Sequence, residues 1–200
     1  NGNGVILAHD GDDFFAQNIQ WRGDASTPTY TGNNLNLTGD NPKLLMCGSR
    51  YAEGRAVLAT GNHVQLIGTN DIYQTATGAG YDIEIGVSGT ATLYHQVYGV
   101  YTSQATGGIK LVDVGAHVIS ASQFGKYWVD SGTSPAGVNG GMVTGCRILG
   151  AIQIDISNSI MVGCQFGAAS TITYAAGTSG HEYWGNVDAD AVITNDGNES

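Results

Sequence analysis

Charged residues and proline are scarce in this chain of 200 residues. There are 3 Pro, 7 Lys and Arg together, and only 12% charged residues in all. Nucleic-acid binding depends on clustered cations that neutralise phosphates. The few cations are instead spread along a chain of net charge −10. We therefore expect no nucleic acid among the partners, while neutral or weakly charged ligands such as glycans stay open.

Long apolar runs are also missing. No stretch approaches the ~18 apolar residues of a membrane-spanning helix, and no signal peptide is visible. We therefore expect no membrane insertion. The chain starts Asn-Gly-Asn-Gly without Met, from which we expect a fragment of a longer protein.

Strong helix formers are sparse, and no window shows the apolar stripe of an amphipathic helix. Glycine is abundant, with 31 residues, and Val, Ile, Thr and Tyr are common, which favours strands and turns. The five His are scattered without zinc-ligand spacing. The composition predicts an all-β domain with one core, and we assign it no metal and no other cofactor.

A short pattern recurs near the C-terminal end of the chain. The pattern of residues 142–150 recurs at residues 160–167, so that Gly145-Cys146 matches Gly163-Cys164 at an offset of 18. Residues 118–125 fit the same frame. Alternation along a strand then predicts one inward set, which is Met142, Thr144, Cys146, Ile148, Ile160, Val162, Cys164, Phe166, Val118, Ser120, Ser122 and Phe124.

Short repeats with glycine punctuation are typical of solenoids, in which each coil stacks on the last. Phe124 and Ile148 align at an offset of 24, whereas Ile148 and Phe166 align at 18. Unequal offsets favour a parallel β-helix, because strands keep their length while turns absorb insertions. We predict a β-helix domain over residues 1–185, followed by a C-terminal exit strand or the start of another segment over 186–200.

The three cysteines, Cys47, Cys146 and Cys164, do not form an even disulfide framework. Stacked Cys146 and Cys164 would lie ~4.8 Å apart, close enough for a bridge. We expect free thiols that pack as small core hydrophobes. A disulfide between the two is the alternative.

A column of polar residues is predicted on the outer surface. If Ile85, Val114, Val129 and Ile156 stack inward, then outward positions in the same strands line up as Glu84, Asp113, Trp128 and Asp155. Sugars bind such surfaces, because ring faces stack on Trp while acids accept hydroxyl hydrogen bonds. The residues that would flank the column are Asp82, Tyr127, Asp130 and Gln153.

Three interpretations of this column stay open. Glu84, Asp113 and Asp155 are the candidate catalytic residues, since carboxylates ~5 to 9.5 Å apart suit glycoside hydrolysis. The same column, with its flanking residues as substrate-binding groups, could instead bind glycan without turnover. It could also be a solvated face without function, because like charges ~4 Å apart in water repel by only about 1 kcal/mol.

The chain resembles the bacteriophage tailspikes and tail fibres that form a right-handed parallel β-helix. The shared features are stacked coils of unequal length, the glycine-cysteine repeats, the Gly and Asn turns and the acidic balance. The resemblance covers roughly residues 1–185 and rests on architecture. It implies a single-stranded right-handed β-helix that assembles as a homotrimer on the virion tail. It also implies recognition, and sometimes depolymerisation, of host capsular polysaccharide or lipopolysaccharide.

A second resemblance, through residues 11–21, is to the pectate-lyase and pectin-esterase β-helices. The basic and acidic catalytic sets of those enzymes are not found, so no catalytic residue is carried over. The alternatives to a phage glycan-recognition segment are therefore a stand-alone polysaccharide-degrading enzyme and a purely structural shaft or adhesin passenger.

Overall fold

The computed structural model describes residues 6–22, 33–52, 54–68, 73–74, 81–102, 107–130, 140–167, 170–188 and 192–195. Within these ranges the protein is all-β and contains no helix, as the composition predicts. The strands, numbered β1 to β26 along the chain, form five sheets. Every ladder between two of these strands is parallel, as the register of the repeats predicts.

Two long sheets form most of the fold. Sheet A contains β1 (Leu7–His9), β4 (Leu35–Leu37), β7 (Val57–Ala59), β10 (Ile83–Gly86), β13 (Gly108–Val112), β17 (Lys126–Asp130), β20 (Ile152–Ile154), β23 (Thr171–Tyr174) and β26 (Val192–Asn195). Sheet B contains β2 (Phe15–Gln17), β5 (Lys43–Leu45), β8 (Gln65–Ile67), β12 (Gln96–Tyr98), β15 (His117–Ser120), β18 (Gly141–Thr144), β21 (Ser159–Val162) and β24 (Glu182–Trp184).

Three short sheets complete the coils. Sheet C contains β3 (Gln20–Arg22), β6 (Gly48–Ala52) and β9 (Tyr73–Gln74). Sheet D contains β16 (Gln123–Phe124), β19 (Arg147–Ile148), β22 (Gln165–Phe166) and β25 (Val187–Asp188). Sheet E contains β11 (Thr92–Leu93) and β14 (Val114–Gly115).

The chain runs from sheet A to sheet B, then through sheet C or D in most turns, and returns to sheet A beside the strand it left. This order is consistent with a solenoid of the parallel β-helix kind. The turns absorb the differences in coil length: Leu7 pairs with Leu35, 28 residues on, whereas Ile109 pairs with Tyr127, 18 residues on. The predicted domain boundary at residue 185 stays a prediction, and β25 and β26 continue sheets D and A past it.

The repeat aligns as predicted, and the predicted inward residues are correct for the sheet D half of the repeat. Phe124 pairs with Ile148, which pairs with Phe166, and all three are buried. Cys146 and Cys164 are buried free thiols, as predicted, and Cys47 is a third. The pKa of the Cys146 thiol is raised, first because it donates a hydrogen bond to Cys164 and second because it is buried.

The predicted register is wrong in the other half. Val118 and Met142 are exposed, and Ser120, Thr144, Ile160 and Val162 are not buried. The inward side chains there are Ile119, Val143 and Met161. The cause is a left-handed residue such as Gly145, with φ of 59°, between the strands of sheets B and D. It interrupts the alternation, so two residues instead of one lie between inward Val143 and inward Cys146.

The left-handed residue recurs at this corner in successive coils. Glycine supplies it at Gly99, Gly145 and Gly163, with φ of 62°, 59° and 61°, and Ala121 supplies it with φ of 49°. A non-glycine residue in this conformation costs roughly 1–2 kcal/mol. Each of these residues donates its N–H to the next coil, as from Gly99 to the Ser120 carbonyl at 3.1 Å. The bonds between coils offset that cost.

The corner between sheets A and B carries a ladder of carboxylate and amide side chains. Asp12 Oδ1 accepts the Asp40 N–H at 2.8 Å, and Asp40 Oδ1 accepts the Asn62 N–H at 2.7 Å. The glycine before each side chain stacks as closely, because a Cβ on Gly39 would lie 2.0 Å from the Gly11 carbonyl oxygen. The sequence shows the signal as Gly-Asp, Gly-Asp and Gly-Asn at residues 11, 39 and 61.

Gly39→Ala should therefore lower the free energy of unfolding by about 2–3 kcal/mol, which is the upper part of the range for overpacked core sites. The reason is that the new methyl group meets backbone that cannot move aside. Gly11→Ala is the matched control, since the atoms nearest its Cβ would be those of the His9 side chain, at 3.1 Å, and not backbone. It should cost less than ~1 kcal/mol. Urea unfolding of both variants measures the difference. Equal losses would show that the stacking of glycines does not set the cost.

Two buried histidines follow left-handed residues at the same corner of sheets A and B. His117 Nε2 lies 2.8 Å from the Tyr127 hydroxyl, and His95 Nδ1 accepts the Val64 N–H at 3.3 Å. His117 also packs over Gly141, where a Cβ would lie 2.1 Å from the imidazole ring. Burial lowers the pKa of His95 from 6.5 to about 4 and that of His117 to about 3. Both rings are therefore neutral core groups.

The free energy of unfolding should depend on pH, because these two buried rings are neutral in the folded protein. Since the folded pKa of His117 lies below the unfolded value of 6.5, the unfolded chain takes up the proton first, and stability is lost as pH falls below that value. Between about pH 7 and about pH 4 the wild type should lose roughly 3 kcal/mol more than His117→Gln. Urea unfolding at both pH values measures this, with His63→Gln, at an exposed site, as control. An equal loss in wild type and His117→Gln would contradict the assignment.

Candidate functional site

One outward row on sheet A contains part of the predicted column. Its register places Glu84 beside Lys110, Lys110 beside Trp128, and Trp128 beside Gln153. The residues on either side of this row, such as Ile83 and Ile85, are fully buried. The structure therefore brings Glu84, Trp128 and Gln153 onto one face. Lys110, which sequence reasoning missed, lies between the first two.

Trp128 is the centre of the contacts on this face. Its indole Nε1 donates to Asp155 Oδ2 at 3.1 Å, and Gln153 Nε2 donates to the same oxygen at 3.0 Å. Lys110 Nζ lies 4.0 Å from the centroid of the indole ring, within cation–π range. Tyr81 lies at 5.8 Å between ring centroids, tilted by 44°. We call these five residues the Trp128 cluster: Tyr81, Lys110, Trp128, Gln153 and Asp155.

Ion pairs border the cluster on both sides. Arg55 Nε lies 2.5 Å from Glu84 Oε2, and Lys110 Nζ lies 3.2 Å from Asp130 Oδ2. Burial, and after it the negative charge of Asp130, raises the pKa of Tyr81. The predicted row of carboxylates is therefore a mixed row, in which cations neutralise two of the acids. Sequence periodicity could not reveal these ion pairs. Arg55 belongs to a turn, and Lys110 belongs to a strand that no repeated motif aligns with Glu84.

Asp113 does not lie on the outer surface, contrary to the prediction. Its side chain is fully buried, and its Oδ2 accepts the Gly89 N–H at 2.6 Å. The chain turns left-handed at this residue, with φ of 51°, between β13 and β14. Leu111 therefore takes the inward place predicted for Val114, which lies beside Thr92 in sheet E. The side chain of Asp113 belongs to a turn instead of a column.

Two of the predicted flanking residues are also buried, and the prediction that they face outward is wrong. Tyr127 points to the same side as Val129 because both alternate inward along β17, and only 2% of Tyr127 is exposed. Asp82 is fully buried and packs against Gly107, where a Cβ would lie 2.0 Å from Asp82 Oδ2. Asp130 is half-buried and keeps the predicted place beside the column.

The three candidate catalytic residues do not come together. Glu84 and Asp155 are three strands apart, which is ~14 Å, and Asp113 is buried elsewhere. Ile154, not Ile156, pairs with Val129, so the acids on neighbouring strands are Asp130 and Asp155. Each already has partners, Lys110 for Asp130 and both Trp128 and Gln153 for Asp155. The arrangement holds two aromatic rings among fixed donors and acceptors.

The described part of the chain contains no group of three or more His, Cys, Asp or Glu side chains placed to hold a metal ion. In the same ranges no helix has the length and apolar character needed to cross a bilayer. Comparisons with protein-family models, with curated proteins and with solved structures found no match.

Proposed function

We propose that this chain is a carbohydrate-binding segment of a bacteriophage tail fibre or tailspike, and that its ligand is a host cell-surface polysaccharide. The observation that carries the proposal is the Trp128 cluster, a half-buried aromatic pair surrounded by polar groups on the outer side of sheet A. The proposal includes a virion-tail location and a single-stranded right-handed β-helix. The parallel coils of unequal length support the β-helix architecture.

Carbohydrate recognition needs an apolar ring face and hydrogen-bonding groups with fixed positions. Trp128 and Tyr81 supply the ring faces, while Gln153, Asp155 and Lys110 supply donors and acceptors. Asp155 is held from two sides, by the indole N–H and the Gln153 amide. A sugar hydroxyl would therefore meet an acceptor that is already oriented, which lowers the ordering cost of binding.

Binding without turnover is the form of the proposal that the contacts favour. Glycoside hydrolysis requires one carboxyl group that can donate a proton and a second that can act as base or nucleophile. Glu84 and Asp130 are instead ion-paired with Arg55 and Lys110. The competing proposal, a polysaccharide depolymerase, would have to use Asp130 and Asp155, which lie on neighbouring strands.

Trp128→Ala should reduce affinity for the recognised glycan about fivefold, because a stacked aromatic ring contributes on the order of 1 kcal/mol. An array of bacterial capsular and lipopolysaccharide oligosaccharides would identify the glycan, and calorimetry would give the affinities. Tyr94→Ala is the control, since Tyr94 is 57% exposed on another part of the surface. Binding that survives Trp128→Ala would remove the proposed site, and release of reducing sugar would favour the depolymerase.

Trimer formation is the second part of the proposal, and the outer face of sheet B supports it. Tyr98, Val118, Met142 and Trp184 point outward there, with 56%, 42%, 40% and 58% of their surface exposed. They lie in two neighbouring rows of the sheet. Other members of these rows are the apolar Leu45, Ile67, Ile160 and Val162 and the polar Lys43, Gln65, Gln96, Ser120, Thr144 and Glu182. Several large apolar side chains exposed on one face are typical of an interaction surface. Three copies that pack these faces together would bury them.

Light scattering on the purified chain should give three times the chain mass of 20.7 kDa. The double variant Val118→Lys with Met142→Lys should dissociate the trimer, because charges would be buried without partners. Val187→Lys is the control, since Val187 is 65% exposed in sheet D. A stable monomer for the unmodified chain would contradict this part of the proposal.

A further inference from the structure

A groove follows the corner between sheets B and D, away from the Trp128 cluster. Its volume is about 510 Å³. The floor consists of the left-handed residues of successive coils, Gly99, Ala121, Gly145 and Gly163, which have small or no side chains. A Cβ on Gly145 or Gly163 would meet nothing within 4 Å, so the space above the floor is open.

One wall of this groove is a straight series of hydrogen-bonding side chains. Tyr101 bridges to Gln123, which pairs with Arg147, which pairs with Gln165. Parallel strands place them ~4.8 Å apart along the axis of the stack. Gln165 and Arg147 are exposed, and 41% of Tyr101 is exposed. The groove therefore presents a periodic polar edge, with an aromatic ring at one end, to a ligand that is itself extended.

The charge of the groove differs from that of its surroundings. The chain has 17 Asp and Glu, yet no residue that lines the groove in the described part of the structure carries a carboxylate. Among the residues that the structure describes, the hydrogen-bond partner of Arg147 Nη1 is the Gln123 amide oxygen, at 3.4 Å. On sheet A, by contrast, Arg55 and Lys110 are each bound to an acid. The Arg147 guanidinium can therefore receive an anion from a ligand.

We propose that this groove binds a linear oligosaccharide that carries carboxylate groups, such as a uronate-containing chain. Arg147 pairs with one sugar carboxylate, Gln123 and Gln165 hydrogen-bond to hydroxyls of the neighbouring units, and Tyr101 stacks on the ring at one end. This inference rests on the proposed glycan recognition and assigns it a second site and an acidic ligand class. A single cation is too few for a polyphosphate backbone, which needs several.

The test uses the full chain in its natural assembly and size-matched hexasaccharide probes. The acidic probes are hexamers of galacturonate, hyaluronan and heparosan, and the neutral probes are the same hexamers after reduction of the carboxyl groups to alcohols. At least one acidic hexamer should bind at least about tenfold more tightly than its reduced form, as expected for a hydrogen bond to a charged group. Higher salt should weaken that binding, because the pair is exposed.

Arg147→Gln should abolish the preference for the acidic hexamer and leave binding of the reduced form unchanged. Arg55→Gln is the matched control, because Arg55 is already paired with Glu84 on another face. Equal affinity for acidic and reduced probes, an unchanged preference in Arg147→Gln, or no binding of any acidic hexamer would each overturn the inference.

Trp128→Ala separates this inference from the proposed function. If the groove binds the hexamers, the preference for acidic over reduced hexamers should persist in Trp128→Ala, whatever that variant does to the total affinity. Loss of hexamer binding in Trp128→Ala with no effect of Arg147→Gln would overturn the groove and leave the Trp128 cluster as the glycan site. An effect of Arg147→Gln alone would support the groove even if the Trp128 cluster bound no glycan.

Discussion

Hydrogen bonding from each coil to the next is the constraint on which this structure depends. The strands are only two to five residues long, so neither strand nor turn satisfies its own backbone groups. The left-handed corners show how strict the requirement is. Even Ala121 adopts a positive φ so that its N–H reaches the Thr144 carbonyl, at 3.1 Å. Insertions are therefore confined to turns, where they leave this stacking unchanged.

The same stacking turns each outward strand position into a row along the surface, and the rows differ in chemistry from one sheet to the next. Sheet A carries aromatic rings among paired charges, around Trp128. Sheet B exposes apolar side chains such as Val118 and Met142 among polar ones. Sheet D presents the amides and guanidinium of Gln123, Arg147 and Gln165. Each face suits a different kind of partner. The proposed glycan contacts and the proposed contact between copies therefore need not compete for one surface.

Sequence periodicity located the interior well where a strand was uninterrupted and poorly where it was not. Ile148 and Phe166 were aligned because both follow a Gly-Cys pair in the same short strand. Met142 was assigned to the wrong side, since Gly145 breaks the two-residue alternation between Met142 and Ile148. Asp113 failed for the same reason, being itself a left-handed residue. Alternation is a rule about extended backbone, and it carries no information across such a corner.

The amino-acid sequence by itself determined the all-β class, the parallel repeat, the free interior thiols and the joint presence of Glu84, Trp128 and Gln153 on one face. These follow from local patterns of residue type. The tertiary structure alone decided which acids are paired, because Arg55 meets Glu84 across a distance of 29 residues. It also decided the groove beside Arg147, because a groove is formed by several coils together and has no signature within any one of them.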